Sequence, residues 1–192
     1  MTQTRVLADR AFPGEGLLWD ALRMAAANLL MVMCAWIAIP LPWTPVPITG
    51  QTFGVLLVAV LLGARRGALV LAMYLLEGLA GLPVFQPYGL PGAARLAGPT
   101  AGYLLAYPAA AYVTGWIVER FGNSVYRMSG AMLAGEIVIF VGGCSLLGLW
   151  MGQGLGPAIA AGVTPFLAGE GIKMALVVAA VHTVERGDRQ VS

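Results

Sequence analysis

The sequence predicts an all-α membrane protein, a bundle of six transmembrane helices, and three observations carry that prediction. Hydrophobic residues make up 59% of the 192-residue chain and charged residues only 10%, against roughly 25% charged in a soluble globular chain. Apolar segments recur along the whole length instead of forming one buried core stretch. The basic residues fall in alternate connections, as the positive-inside rule expects of a multi-pass chain.

Residues 1–20 carry mixed charge and read as a cytoplasmic leader, 21–184 as the transmembrane domain and 185–192 as a cytoplasmic tail. The first helix covers 21–39. It is long and apolar enough to span, which marks it as a membrane helix and not a cleaved signal. Pro40, Pro42, Pro45 and Pro47 then exclude a helix interior, and their missing N–H groups lessen the backbone's need for partners near lipid. Helices two (51–62) and three (67–79) are short for ~30 Å of hydrocarbon. Such glycine-interrupted spans accompany irregular backbone that lines a cavity. Helices four, five and six cover 99–118, 129–151 and 165–184.

Six spans put Arg5, Arg10, Arg23, Arg65, Arg66, Arg120, Arg127, Arg186 and Arg189 on one side, the cytoplasm, together with both termini. The opposite connections, 40–50, 80–98 and 152–164, hold one basic residue, Arg95, and no acidic one.

Glu170 and Lys173 stand one turn apart in the last span. Intramembrane charge costs at least a few kcal/mol per residue and is rarely left unpaired or without a task. Their spacing puts both side chains on one helix face, about 8 Å below Pro165 for Glu170 by helical rise. A fixed acceptor beside a fixed donor suits a small polar solute with adjacent donor and acceptor groups. The alternative is mutual neutralisation that only pins packing, for which an internal ion pair is weak support energetically.

Arg95 is either a solvated loop residue or a forked donor that captures an anionic group. Tyr88, Gln86 and Gln51 are neutral polar groups at the same level, able to hold loop backbone or touch a solute. Trp43, Phe85 and Tyr103 are candidate apolar walls or interfacial anchors. Glu77 and Glu136 are further intramembrane acids with no basic partner nearby in sequence, and their roles stay open. His182, near the last helix C-terminus, needs no catalytic explanation.

No catalytic residue and no metal site is expected. Ser145 and His182 would be separated by about 20 Å of helical rise, too far for a nucleophile and its base. Cys34 and Cys144 lie in apolar spans without a disulfide or metal pattern. No glycine-rich loop ends in Gly-Lys-Ser/Thr, so a P-loop nucleotide site is excluded. Any ATP-driven motor must come from another chain, and no nucleic-acid partner is expected. Ala21 and Ala25 form a small-xxx-small pair that lets a neighbouring helix approach closely.

Three segments carry a resemblance: Pro47-Ile48-Thr49-Gly50-Gln51-Thr52-Phe53, Gly81-Leu82-Pro83-Val84-Phe85 and Gly98-Pro99-Thr100-Ala101-Gly102-Tyr103-Leu104. With Pro165-Phe166 ahead of Glu170 and Lys173, their order and spacing closely resemble the BioY family, the biotin-binding S components of energy-coupling factor (ECF) transporters. The resemblance covers about 21–184. It implies the S-component type of six-helix bundle in a bacterial cytoplasmic membrane and a biotin site in the outer half. It also implies docking onto a transmembrane coupling subunit with two ABC-type ATPases, so that the chain binds no cofactor and its partners use ATP.

The family's acid–x–x–Lys motif maps onto Glu170 and Lys173, with glutamate where aspartate is frequent. Its Ala-x-x-x-Ala contact with the coupling subunit maps onto Ala21 and Ala25, and a carboxylate contact onto Arg95. Gln51 and Tyr88 complete the expected biotin contacts. The rival reading is a self-sufficient biotin carrier, proton-coupled through Glu77 or Glu136.

Overall fold

Proline and glycine set most of the helix boundaries. The computed structural model describes residues 7–11, 14–122 and 124–191, with side chains described for 7–9, 14–122 and 124–183. Arg5 and the side chains of Arg10, Arg186 and Arg189, used above for orientation, lie outside the described residues. The helices are α1 (Leu7–Ala11), α2 (Leu17–Trp36), α3 (Gln51–Leu79), α4 (Ala101–Phe121), α5 (Val125–Met151), α6 (Leu155–Gly162) and α7 (Leu167–Val191). A 3-10 helix occupies Gly92–Ala97.

α2 ends at Trp36, short of the expected Ile39. A residue before proline is pushed toward extended backbone, and Ala38–Ile39, ahead of Pro40, is strand β1. It pairs antiparallel with β2 (Ile48–Thr49), Ala38 opposite Thr49 and Ile39 opposite Ile48. The proline-rich connection is thus the loop of a short hairpin. Thr44 Oγ1 fastens it by donating to the Ala161 carbonyl at 2.7 Å.

α3 is a helical hairpin folded at Gly63. That residue has φ 77° and ψ −175°, a conformation that glycine adopts without a Cβ penalty. Gln51 Nε2 donates to the Tyr74 hydroxyl at 2.8 Å, although an unbroken helix would hold the two about 35 Å apart by helical rise. The arms 51–62 and 64–79 therefore lie side by side, which matches the expected second and third helices with the break nearer their start than Gly67. Glu119 accepts the freed Ala64 N–H at 2.9 Å, as a carboxylate does at a helix N-terminus.

The connection expected over 152–164 contains α6. It begins after Gly154, tolerates Pro157 in its first turn, where the missing N–H costs nothing, and packs on α5. α6 and α7 meet at 52°. Among the described residues four helices, α2, α3, α4 and α5, are long and apolar enough to cross a membrane, or five spans if the bent α6–α7 pair is one.

α3 is central, with 67% of its apolar window buried against 17% for α2. It packs on α2, α4 and α7, and α4 packs on α5. Outward faces carry large apolar side chains, among them Leu29, Leu69, Leu105, Leu133, Val141 and Ile172, all exposed. Apolar outside as well as inside is what lipid demands of a bundle whose backbone is satisfied within its helices. The result is a multi-pass membrane protein. The hairpin and the 80–100 loop lie at one face; Gly63, the α4–α5 turn and α1 lie at the other.

Candidate functional site

Six segments distant in sequence converge beneath the loop face. Val46 to Thr52 enter from the hairpin and α3, Gln86 from the following loop, Thr100 to Tyr107 from α4 and its N-terminus, Ile139 and Phe140 from α5, Gly162 from the end of α6, and Phe166 to Lys173 from α7. They enclose an inner chamber of about 40 Å³, room for no more than a few waters. Above it, an outer vestibule of about 350 Å³ is lined by Pro40, Tyr88, Arg95 and Trp150 among others. Pro47, Gln86 and Thr100 line both spaces and so form the partition.

The polar floor of the inner chamber is a closed triad. Lys173 Nζ donates to Glu170 Oε1 at 2.7 Å and to Thr52 Oγ1 at 2.8 Å. The Thr52 hydroxyl in turn donates to Glu170 Oε2 at 2.7 Å. Glu170 is buried and Lys173 nearly so, with side-chain exposures of 7% and 15%. A threonine hydroxyl both accepts and donates, so Thr52 ties α3 to α7 and holds both charged groups in place. It stands inside the first of the quoted segments, yet its role needs the fold: nothing in the sequence brings α3 to α7.

Gln51 also lines the inner chamber. Its amide is held between the Tyr74 hydroxyl and Thr49 Oγ1, the latter donating at 3.2 Å. Tyr103 lines the wall and donates to the Gly162 carbonyl at 2.9 Å. A Cβ at Gly162 would fall 2.1 Å from that hydroxyl, so only glycine leaves room for it. Tyr107, Ile139, Phe140 and Phe166 complete the chamber; of these the sequence marked out only Phe166, beside Pro165 in the motif ahead of Glu170. The other candidate walls are elsewhere. Phe85 is buried edge-on against Tyr74, ring centroids 5.4 Å apart, and Trp43 is 69% exposed.

Arg95 and Tyr88 belong to the vestibule and do not touch the triad. Arg95 is buried, with 5% exposure, which excludes the solvated-loop reading. It donates to the backbone carbonyl of Gln86 at 2.8 Å and to that of Tyr88. Its Nε has no partner among the described residues. Burial pulls its pKa down from the ordinary value. The Tyr88 side chain is half exposed.

The remaining intramembrane acids differ. Glu77 accepts from Asn28 Nδ2 at 2.6 Å, linking α2 to α3. Glu136 on α5 is 2% exposed, and neither carboxyl oxygen has a well-formed hydrogen bond among the described residues. Ser145 donates to the Val141 carbonyl of its own helix at 2.6 Å. On α2, Ala21 and Ala25 lie on the exposed face with Leu18, Leu22 and Leu29. Arg23 turns the other way, buried against Asp9 at 3.0 Å and Asp20 at 2.9 Å.

Comparison with known proteins agrees with this architecture. A family model described as the BioY family matches residues 6–190. A protein of Thermotoga maritima named "Biotin transporter BioY" is 40% identical over 152 residues, 79% of this chain and 86% of that protein. One of Rhizobium etli with the same name is 39% identical over 143 residues, 70% of this chain and 75% of that protein. The crystal structure of an S-component for biotin from an ECF-type ABC transporter matches with a TM-score of 0.81 over 88% of this chain and 92% of that one. Its sequence identity is 24%, so it speaks for the fold. With a matched region that runs through nearly every described element, this chain belongs to the BioY family.

Proposed function

We propose that this chain is the substrate-capturing subunit of an ATP-driven vitamin transporter and that it binds biotin in the inner chamber. The closed triad of Glu170, Lys173 and Thr52 carries the reading. Biotin's ureido ring presents N–H donors beside a strongly accepting carbonyl oxygen. Glu170 accepts from the N–H side and Lys173 donates to the oxygen, while Gln51 adds amide capacity at the chamber wall. Tyr103, Tyr107, Phe140 and Phe166 supply apolar surface for the thiophane ring. Arg95 and Tyr88, in the vestibule, meet the valerate carboxylate at the mouth.

The chamber as it stands is too narrow for such a ring, so binding must widen it. The partition is built for that: Pro47 belongs to the hairpin and Gln86 to the loop tied by Arg95. The hairpin and the 80–100 loop then close over the solute.

The finer topology follows the charges. Counting the two arms of α3 separately gives six crossings, α2, both arms, α4, α5 and α7, in a bacterial cytoplasmic membrane. Arg65, Arg66, Arg120 and Arg127 then share the cytoplasmic face with both termini. The exposed face of α2 around Ala21 and Ala25 fits close approach by a helix of a transmembrane coupling subunit. Two ATPase subunits of that partner complex use the ATP, and this chain itself binds no cofactor.

Isothermal titration of biotin into the purified chain tests the site. Binding by wild type and its marked weakening in Glu170→Ala and Lys173→Ala are expected; unchanged affinity in both variants rejects the chamber. Uptake of labelled biotin in cells lacking every coupling subunit separates this reading from a self-sufficient carrier, which alone would accumulate it robustly.

A further inference from the structure

Among the described residues, Glu136 is the one acid next to the chamber that the capture mechanism does not use. It lies on α5 one turn before Ile139 and Phe140, which line the chamber, and so sits just behind its wall. Facing it are Glu170 and Lys173 from α7 and Tyr107 from α4. α3 packs beside it through Leu56, whose Cδ2 lies 3.2 Å from where a Cβ on Gly135 would stand.

The surroundings decide its charge state. An ionised carboxylate with 2% exposure and no hydrogen bond would bear a desolvation cost of several kcal/mol. A second negative charge beside Glu170 adds repulsion, and two neighbouring carboxylates resolve this by keeping one proton between them. Lys173 offers only partial relief, the smallest of these influences, because its charge is already matched by Glu170 at 2.7 Å.

We propose that Glu136 is a positioning residue that stays protonated and lends its O–H to Glu170, holding that carboxylate ionised and aimed into the chamber. The trio Lys173, Glu170 and Glu136 is then neutral, one positive, one negative and one uncharged acid. Each oxygen of Glu170 already accepts one hydrogen bond, from Lys173 and from Thr52. A carboxylate has about four lone-pair sites, so it can take the Glu136 proton donor and still accept a solute N–H. Removing the proton from Glu136 would set two carboxylates against one ammonium and spoil the match to a neutral ureido ring. This assignment rests on the inner chamber being the biotin site.

Infrared spectroscopy and a pH series test it. Wild type at neutral pH should show the C=O stretch of a protonated carboxylic acid, lost in Glu136→Gln and shifted in Glu136→Asp. Biotin affinity should fall about tenfold in Glu136→Ala, the equivalent of one lost hydrogen bond, and recover in Glu136→Gln, which keeps a donor but cannot ionise. As pH rises, wild type should lose affinity before Glu136→Gln does.

A wild type without the acid band, a band that persists in Glu136→Gln, or superimposable pH profiles would overturn the proposal. Should wild type fail to bind biotin, the capture reading falls, while the infrared result still decides the protonation of Glu136.

Discussion

Two charge clusters at opposite faces of the bundle use the same groups to different ends. At the face away from the loops, Arg23 and Arg66 interleave with Asp9 and Asp20 at 2.7–3.0 Å, and Arg23 also donates to the Gly14 carbonyl at 2.7 Å. Every charge there meets an opposite one, and the cluster fastens α1, α2 and the start of the second arm of α3. Under the loops, Lys173 and Glu170 hydrogen-bond to each other and to Thr52, and the other charged-type group facing them, Glu136, is an acid and not a second cation. An ammonium has three donors and a carboxylate spare lone pairs, so this cluster keeps capacity that faces a cavity. The first arrangement suits holding; the second suits exchange with a ligand.

The contrast can be broken most forcefully at the chamber. Glu170→Ala or Lys173→Ala leaves the other charge buried and should weaken biotin binding by about 2–5 kcal/mol, read by isothermal titration. Thr52→Val keeps the shape but removes the bridging hydroxyl. A loss of about 1–3 kcal/mol in biotin affinity is expected, recovered by Thr52→Ser; no loss would mean that the triad does not need its hydroxyl. Gly162→Ala drives a methyl group into the Tyr103 hydroxyl and should cost about 1–3 kcal/mol by overpacking, seen as a lowered melting temperature together with weaker binding.

At the other face the outcome should separate stability from binding. Arg23→Met should lower the melting temperature in detergent, by about 1–2 kcal/mol in stability given partly exposed partners, with biotin affinity retained. An affinity loss as steep as in the chamber variants would mean that the two clusters do not differ in this way. Smallest of all is the salt effect: raising ionic strength should screen the Arg23–Asp20 pair, whose carboxylate is 35% exposed, and so narrow the stability gap between wild type and Arg23→Met.

What the sequence determined by itself is what acts within a few residues. Composition set the membrane class, Pro40 set a chain break, and three-residue spacing put Glu170 and Lys173 on one face, because each is a local property of backbone or helix geometry. The tertiary structure decided what depends on distant segments meeting. It made Thr52 the bridge between α3 and α7, folded α6 out of an apparent loop, tied Arg95 to carbonyls of its own loop and brought Glu136 up behind Glu170. No local pattern encodes those meetings, since they follow from how α3, α4, α5 and α7 pack and from which polar groups that packing shuts away from water.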